Sequence, residues 1–313
     1  FPDTNLAESL QRITGVSVSR ANGEGSQITV RGFGPDFNLI TLNGRQMPGT
    51  GNTRSYNLEN LSSEGVSALE VYKTARAENP SGGLGATVNI ITTKPLNNPG
   101  QHASVSAKGI YDSSNVKGDD VTPEVSGIFS HALDNGKFGV SISASHQQRD
   151  SGYTGATVND WEVGYWDDIA DADRLWNNAD TEVINAPEQG QLYARPNDIR
   201  YAFSNTERKR DNAQLTLQFR PHDNFTATAD YTFAENNLVE HRGEITNWVQ
   251  RGSNTKVVEF DNNTVKTPSY IQETYASAVD EGYEQQWREQ TNTLKSAGLN
   301  LEYQVNDNLT LAL

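Results

Sequence analysis

From residue 103 onward the chain carries a series of runs in which an apolar residue recurs at every second position, and this period of two limits the fold more than any other feature of the chain. Ala103-Ser104-Val105-Ser106-Ala107 shows it first, and Phe138-Gly139-Val140-Ser141-Ile142 repeats it. The stretches 213–219, 225–233 and 297–303 follow the same rule. Residues 125–129 follow it weakly, and Leu309-Thr310-Leu311 starts another run. Successive side chains of a strand point to opposite faces, so such runs predict strands with one apolar and one polar face. That makes seven strands. Their connections are of two kinds in strict alternation. Residues 134–137, 221–224 and 306–308 are tight hairpin turns rich in Asn, Asp and Gly. Residues 112–121, 151–199 and 240–290 are longer. Short turns on one rim and long loops on the other mark an antiparallel β-barrel that crosses an outer membrane. A soluble β-sandwich would alternate as well, but nothing in it segregates loop lengths in this way.

The composition agrees with a barrel whose lumen is wet. Only 35% of the 313 residues are hydrophobic and the mean hydropathy is −0.68. No apolar run approaches the ~20 residues of a membrane-spanning helix. Disorder is one way to be this polar; the other is a barrel, where only the outward residues need be apolar. Cysteine is absent, so no disulfide contributes and the redox compartment stays open. The chain begins Phe1-Pro2-Asp3 without a leader pattern, so an exported protein is expected to have had its targeting segment upstream. Inside lipid every backbone N–H and C=O needs a partner, so a barrel must close, and single-chain bacterial barrels close with an even number of strands. Seven strands therefore predict the first part of a longer wall.

A turn-rich stretch, Lys94 to Gly100, separates this half from a different one. Before it, Asp3-Thr4-Asn5 is placed to cap a short helix through Arg12 that has Leu6, Leu10 and Ile13 on one face. Short β-prone pieces follow at 16–19, 27–31, 39–42, 68–72 and 87–92, with Asn43-Gly44 as a hairpin signal. The run Gly82-Gly83-Leu84-Gly85 lacks the strand before it and the helix after it that a dinucleotide loop needs. Its glycines suit a tight turn against neighbouring backbone.

Three blocks in this half resemble the plug domain of TonB-dependent outer-membrane receptors. They are Leu10 to Val16; Ile28-Thr29-Val30-Arg31-Gly32-Phe33-Gly34 with Leu39-Ile40-Thr41-Leu42-Asn43-Gly44-Arg45; and 69–74 continuing through 80–92. They occur in family order and cover nearly all of residues 6–95. The resemblance implies an N-terminally truncated α+β plug over residues 1–98, filling the lumen of a barrel that starts at residue 99 and has 22 strands in the family. It implies a location in the outer membrane of a Gram-negative bacterium, among lipid and lipopolysaccharide. It also implies energised uptake: a scarce ligand binds from outside, and TonB pulls on a segment upstream of the plug that is absent from this sequence. No chemistry is performed on the ligand, and no cofactor is implied. By the same resemblance Arg31 stands where a plug arginine pairs with glutamates on the wall. Lys73 stands where many relatives carry a second arginine, and a lysine cannot repeat its two-pronged pairing. A solvated surface charge is the alternative for each.

The family's apical loops correspond to 34–37 and 45–56, so Asp36, Phe37, Arg45, Gln46, Arg54 and Tyr56 are the expected plug contacts to ligand. The alternative is a glycine-rich loop packed on the wall. All five tryptophans lie in the predicted long loops. Trp161, Trp166, Trp176 and Trp248 are expected at the ligand, because flat aromatic faces beside Asp, Asn and Gln suit sugar rings. A loop core accounts for them equally well, and a membrane-interface girdle accounts for Tyr153 and Trp287.

Charge points the same way. Residues 1–100 carry eight basic and eight acidic residues, so the net −15 lies wholly beyond them. Residues 151–199 hold ten acids and two bases, and residues 240–290 nine and five. Such loops exclude nucleic acid as a partner and repel anions at long range, within the ~8–10 Å that salt allows. The expected ligand is therefore an oligosaccharide. A ferric siderophore or other metal chelate is the alternative, and a passive or adhesive barrel the third reading. Asp167-Asp168 with Asp171 and Asp173 lacks the glycine and distal glutamate of a calcium loop and reads as a solvated acidic patch. The five histidines show neither metal-ligand spacing nor pairing with a nucleophile, so no metal site and no enzyme are expected.

Overall fold

A computed structural model describes residues 5–133, 135–166, 181–249, 254–279 and 281–313. These residues contain no helix long and apolar enough to cross a membrane.

The N-terminal part is built from short elements. Helix α1 (Leu6–Leu10) begins at Asn5, whose side chain accepts from the Glu8 N–H at 3.2 Å. It ends at Gln11, earlier than predicted, and buries Leu6, Ala7 and Leu10. Strands β1 (Val16–Ala21) and β2 (Glu24–Val30) form an antiparallel hairpin. Asn22 and Gly23, both at positive φ, turn it. Four further strands make a second sheet in the order β4-β3-β6-β5: β3 (Asn38–Leu42), β4 (Arg45–Gln46), β5 (Val66–Tyr72) and β6 (Ala86–Thr92). β3 and β6 run parallel, β5 antiparallel to β6. Each predicted β-prone piece falls within one of these strands except 27–31, which β2 leaves at Val30 because Arg31 turns, and Asn43-Gly44 (φ 50° and 82°) is the β3–β4 turn.

Leu6, Leu10, Val30, Leu42, Leu58, Leu61, Val88 and Ile90 close a core between helix, hairpin and sheet. Each such side chain contributes roughly 1.5–3 kcal/mol by leaving water. Asn38 ties the elements together: its amide donates to the carbonyls of Ile28 (3.1 Å), Phe33 (3.2 Å) and Gly34 (3.0 Å). Gly85 leaves it the room, because a Cβ there would stand 2.4 Å from Asn38 Oδ1 and 2.8 Å from Phe33 Cβ.

The C-terminal part is one antiparallel meander of seven strands. They are β7 (Gly100–Tyr111), β8 (Val121–Ala132), β9 (Phe138–Val158), β13 (Asp198–His222), β14 (Phe225–Trp248), β17 (Gly282–Asn306) and β18 (Leu309–Ala312). The predicted tight turns at 221–224 and 306–308 join β13 to β14 and β17 to β18, and the described part of the third, 135–137, precedes β9. Polarity is inverted relative to a soluble sheet. Ser126, Ser141, Ser143, Gln214, Thr216, Gln218 and Thr232 are buried on one face, while Phe129, Ile142, Leu215, Leu217, Phe219 and Leu299 are exposed on the other. Lipid on the outside and a polar plug surface on the inside produce this arrangement.

The strands also run further than their apolar alternation. β9 and β14 continue to 158 and 248, and β13 and β17 begin at 198 and 282, inside stretches predicted as loops. In these extensions charged and amide residues such as Asn205, Glu207, Lys209 and Asp211 interrupt the outward row, so the period-two signal weakens while backbone pairing continues.

Two compact units result. The first holds Phe1–Gly152, Thr206–Val239 and Arg288–Leu313, and the second Tyr153–Asn205 and Glu240–Trp287. In the second, β10 (Trp161–Tyr165) pairs with β12 (Leu192–Pro196), and β11 (Glu182–Ile184), β15 (Thr255–Phe260) and β16 (Pro268–Glu273) form a small sheet. Its core is Val258 and Phe260 with Trp166, Val183, Tyr193, Val249 and Ile271 packed on them.

Gly85→Ala is expected to destabilise the N-terminal domain by about 2 kcal/mol through overpacking at Asn38. Hydrogen exchange of the β3 and β6 amides measures this; unchanged protection would refute the role given to Asn38.

Candidate functional site

Strand alternation places Arg208 and Arg210 on the same, buried face of β13. Arg149 projects from the neighbouring strand β9. Into this group of three guanidiniums the turn of the β1–β2 hairpin inserts Glu24, the first residue of β2, which is fully buried. Arg149 Nη1 donates to Glu24 Oε1 at 2.7 Å. Glu24 Oε2 stands 2.5 Å from Arg208 Nη2 and 3.9 Å from Arg210 Nη1. Arg149 also donates to Asp112 at 2.8 and 3.2 Å, and Arg208 Nη1 lies 3.9 Å from Glu59. Arg210 donates to the Glu59 carbonyl and to Gln147 Oε1.

Burial alone would push the Glu24 carboxyl up; the charges of Arg208, Arg210 and Arg149 outweigh it and hold the group at about 2. Glu59 goes the other way. Burial and the nearby Glu24 charge raise it, against Arg208 and Arg210.

A second contact lies toward the short-turn end of the wall. Arg45 grips Asp230 with both Nη atoms, one at 3.1 Å, and the Asn43 amide donates to the same carboxylate at 3.2 Å. Between the two, Ser62 N–H donates to Asn212 (3.2 Å) and Asn236 donates to Asn60 (2.8 Å). The N-terminal domain is thus seated on the wall by charge at two levels and by amide contacts between them.

Several predicted residues have other duties. Among the described residues Arg31 forms no ion pair with a wall carboxylate. With φ 53° it is the first residue of a tight turn closed by the Val30–Phe33 pair, and its Nη2 donates to the Gly85 carbonyl at 2.8 Å. Lys73 Nζ donates to the Thr14 carbonyl, again within the N-terminal domain. The Glu24 level of the seat has the opposite polarity to the one expected from the resemblance, with the carboxylates from the N-terminal domain and the arginines from the wall, whereas the Arg45–Asp230 level keeps the expected polarity but uses a different arginine. Nothing local distinguishes Glu24 in the sequence. Arg208-Lys209-Arg210, with its i, i+2 arginines in a strand, is the signal that could have found the wall side.

Among the expected ligand contacts, Asp36, Phe37 and Arg54 come together. Asp36 Oδ1 accepts from the backbone N–H of Arg54 and Ser55, both at 3.1 Å, and Phe37 meets Phe33 edge-on at 6.2 Å with both rings exposed. Arg45 does not join them, because the β3–β4 turn carries it to Asp230. Gln46 is exposed and pairs across to Thr41. Tyr56 is buried in the core, where closure of the 54–55 backbone over Asp36 places it.

In the second unit Trp166 belongs to the loop core, edge-on to Tyr193 (5.6 Å) and Phe260 (5.7 Å). Trp161 is 44% exposed, with Val163 and Tyr165 on the same face of β10, and Trp248 is 61% exposed at the end of β14. Trp287 stacks on His241 at 5.7 Å. Trp176 and the acidic run at Asp167, Asp168, Asp171 and Asp173 lie outside the described residues. Among the described residues no group of His, Asp and Glu is placed to hold a metal.

The charge of Glu24 makes the seat pH-dependent. Its folded value is depressed, so the stabilisation is complete above the ordinary 4.5 and is lost as pH falls through about 2. Glu59 titrates in the opposite sense, so the loss is read in a Glu59→Gln background. There the urea midpoint of the domain should drop steadily as pH is lowered from above 4.5 to about 2. Glu24→Gln should abolish the drop and cost about 3–5 kcal/mol at pH 7, by leaving a buried guanidinium uncompensated. A pH-independent midpoint with Glu24 intact would refute the assignment.

Residues 1–87 match the family model of the TonB-dependent receptor plug domain. Among solved structures, the chain is 14% identical to a mutant of the ferric enterobactin receptor PfeA from Pseudomonas aeruginosa, over 96% of this chain and 44% of that one, with a TM-score of 0.41. It is 14% identical to the siderophore receptor PirA from Acinetobacter baumannii, over 97% and 52%, with a TM-score of 0.36. For the unliganded ferric citrate transporter FecA the values are 13%, 98% and 59%, and 0.39. The chain spans about half the length of these structures. By the family match residues 1–87 are a TonB-dependent receptor plug domain, and in this chain a seven-stranded antiparallel sheet follows it.

Proposed function

We propose that this chain forms the plug, residues 1–98, and the first part of the barrel, residues 99–313, of an outer-membrane receptor of a Gram-negative bacterium. The receptor takes up a scarce ligand with energy delivered through TonB and performs no chemistry on it. The observation that carries this reading is the seat itself. A domain with its own core is held against the polar face of the wall by ion pairs and amide contacts, an attachment that a directed pull can undo without unfolding the wall.

An oligosaccharide is the ligand that the loops support best. Trp161 and Tyr165 stand exposed on one face of β10 beside acidic and amide side chains, in the arrangement that stacks on sugar C–H faces. The plug patch of Asp36, Phe37, Phe33 and Arg54 offers a second aromatic and polar contact. The reading as a receptor for a ferric siderophore draws on a different observation, the three wall arginines, which suit an anionic chelate.

Binding to the purified receptor decides between them. A saccharide ligand should bind about tenfold more weakly to a Trp161→Ala, Tyr165→Ala variant, and uptake by cells, though not surface binding, should cease when the proton-motive force is collapsed. Tight binding of ferric citrate with a panel of neutral oligosaccharides inert would sink the saccharide reading. Uptake that persists without the proton-motive force would sink the energised one.

A further inference from the structure

The wall arginines are compensated unequally. Arg149 has a carboxylate from the wall side, Asp112, and Arg210 has Gln147. The carboxylates within 4.0 Å of Arg208, among the described residues, are Glu24 and Glu59, and both come from the plug. Arg208 is 3% exposed, yet among the described residues none of its three nitrogens has a well-directed hydrogen bond, and neither has Oε2 of Glu24 or Glu59, for all their proximity. Charge is balanced here while hydrogen-bonding capacity is left unused. A buried guanidinium with idle donors is costly, and planar donor pairs of this kind are matched by a carboxylate that can come in face to face.

A plug that shifts takes Glu24 and Glu59 with it. Arg208 and Arg210 then face the lumen two residues apart on one strand, with Arg149 on the next. An uncompensated cluster of this sort draws in an anion.

We propose that Arg149, Arg208 and Arg210 form a carboxylate-binding site on the inner wall, that Glu24 occupies it while the plug is seated, and that a carboxylate of the transported ligand takes the place of Glu24 once the plug shifts. The side chain of Glu24 stands in for the ligand group, one oxygen on Arg149 and the other between Arg208 and Arg210. The ligand class is thereby an organic acid: either a hydroxy-acid metal chelate or a saccharide bearing uronate groups. Acidic outer loops do not forbid it, since salt limits their repulsion to ~8–10 Å. The inference rests on the receptor reading for the motion of the plug, but the site itself is testable without any energy source.

The experiment uses the full-length receptor in detergent, with citrate, digalacturonate and, as a neutral control, maltose followed by calorimetry. Vacating the site with Glu24→Ala should make citrate or digalacturonate bind about tenfold more tightly or better than to the unsubstituted protein, and Glu24→Ala with Arg208→Gln should lose that gain. Maltose should be indifferent throughout. A gain for citrate alone assigns the chelate, and a gain for digalacturonate alone assigns the uronate saccharide. Glu24→Gln, which keeps the shape of the side chain, carries the same comparison if the alanine variant does not fold. Absence of any gain in a folded variant overturns the proposal, as does a gain that survives Arg208→Gln. Energy-dependent uptake would then still stand, because it is measured separately on cells.

Discussion

A carboxylate removed from water among three guanidiniums is the interaction on which the rest of this structure turns. Glu24 has no exposed surface, and burial of an isolated carboxylate would cost several kcal/mol. Arg149, Arg208 and Arg210 reverse that balance, so the carboxyl sits at about 2 instead of rising. The consequence is mechanical. The plug's hydrophobic core closes mostly upon itself, with Ala234 the one fully buried wall residue in it among those described, while its contact with the wall is polar. Such an interface is specific in register but can part without exposing a large apolar surface.

The two halves of the chain were legible to different degrees. The meander announced itself because lipid on one side and polar contacts on the other impose a period of two on residues such as 213–219 and 225–233. The plug strands were legible from β-branched runs broken by glycine, and Asn43-Gly44 from its turn chemistry. Strand residues 145–158, 198–212 and 234–248 were not, because charged and amide residues interrupt the outward row there and leave only short apolar alternations such as Ile199, Tyr201 and Phe203. Glu24 was invisible for a related reason: its partners lie 125 and more positions away, and nothing in Gly23-Glu24-Gly25 reports them. Arg31 departs from the expectation because its backbone forms a local turn and its side chain donates to the Gly85 carbonyl.

The long connections show how a polar segment acquires structure without a large core. Trp166, Tyr193 and Phe260 meet edge-on, and three short strands gather around Val258. Asn185, at φ 54°, spends its amide on the carbonyls of Phe260 and Asp261. Asp261 in turn accepts from the backbone of Asn263 and Thr267, contacts that hold its carboxyl below the usual range. These are fixed scaffolds, and on such a scaffold Trp161 and Tyr165 can be presented to solvent without collapsing inward.

The outward row of the wall also works as a ruler. On β14 it is apolar or aromatic from Phe225 through Phe233 and turns charged at Glu235; on β13 it changes between Ala213 and Asp211, where Asp211 pairs with His146 at 2.7 Å. Nine residues of tilted strand rise roughly 20 Å. In the outer-membrane receptor proposed above such a row would suit a thin hydrocarbon layer, and a thicker bilayer would have to swallow the His146–Asp211 pair or compress to spare it.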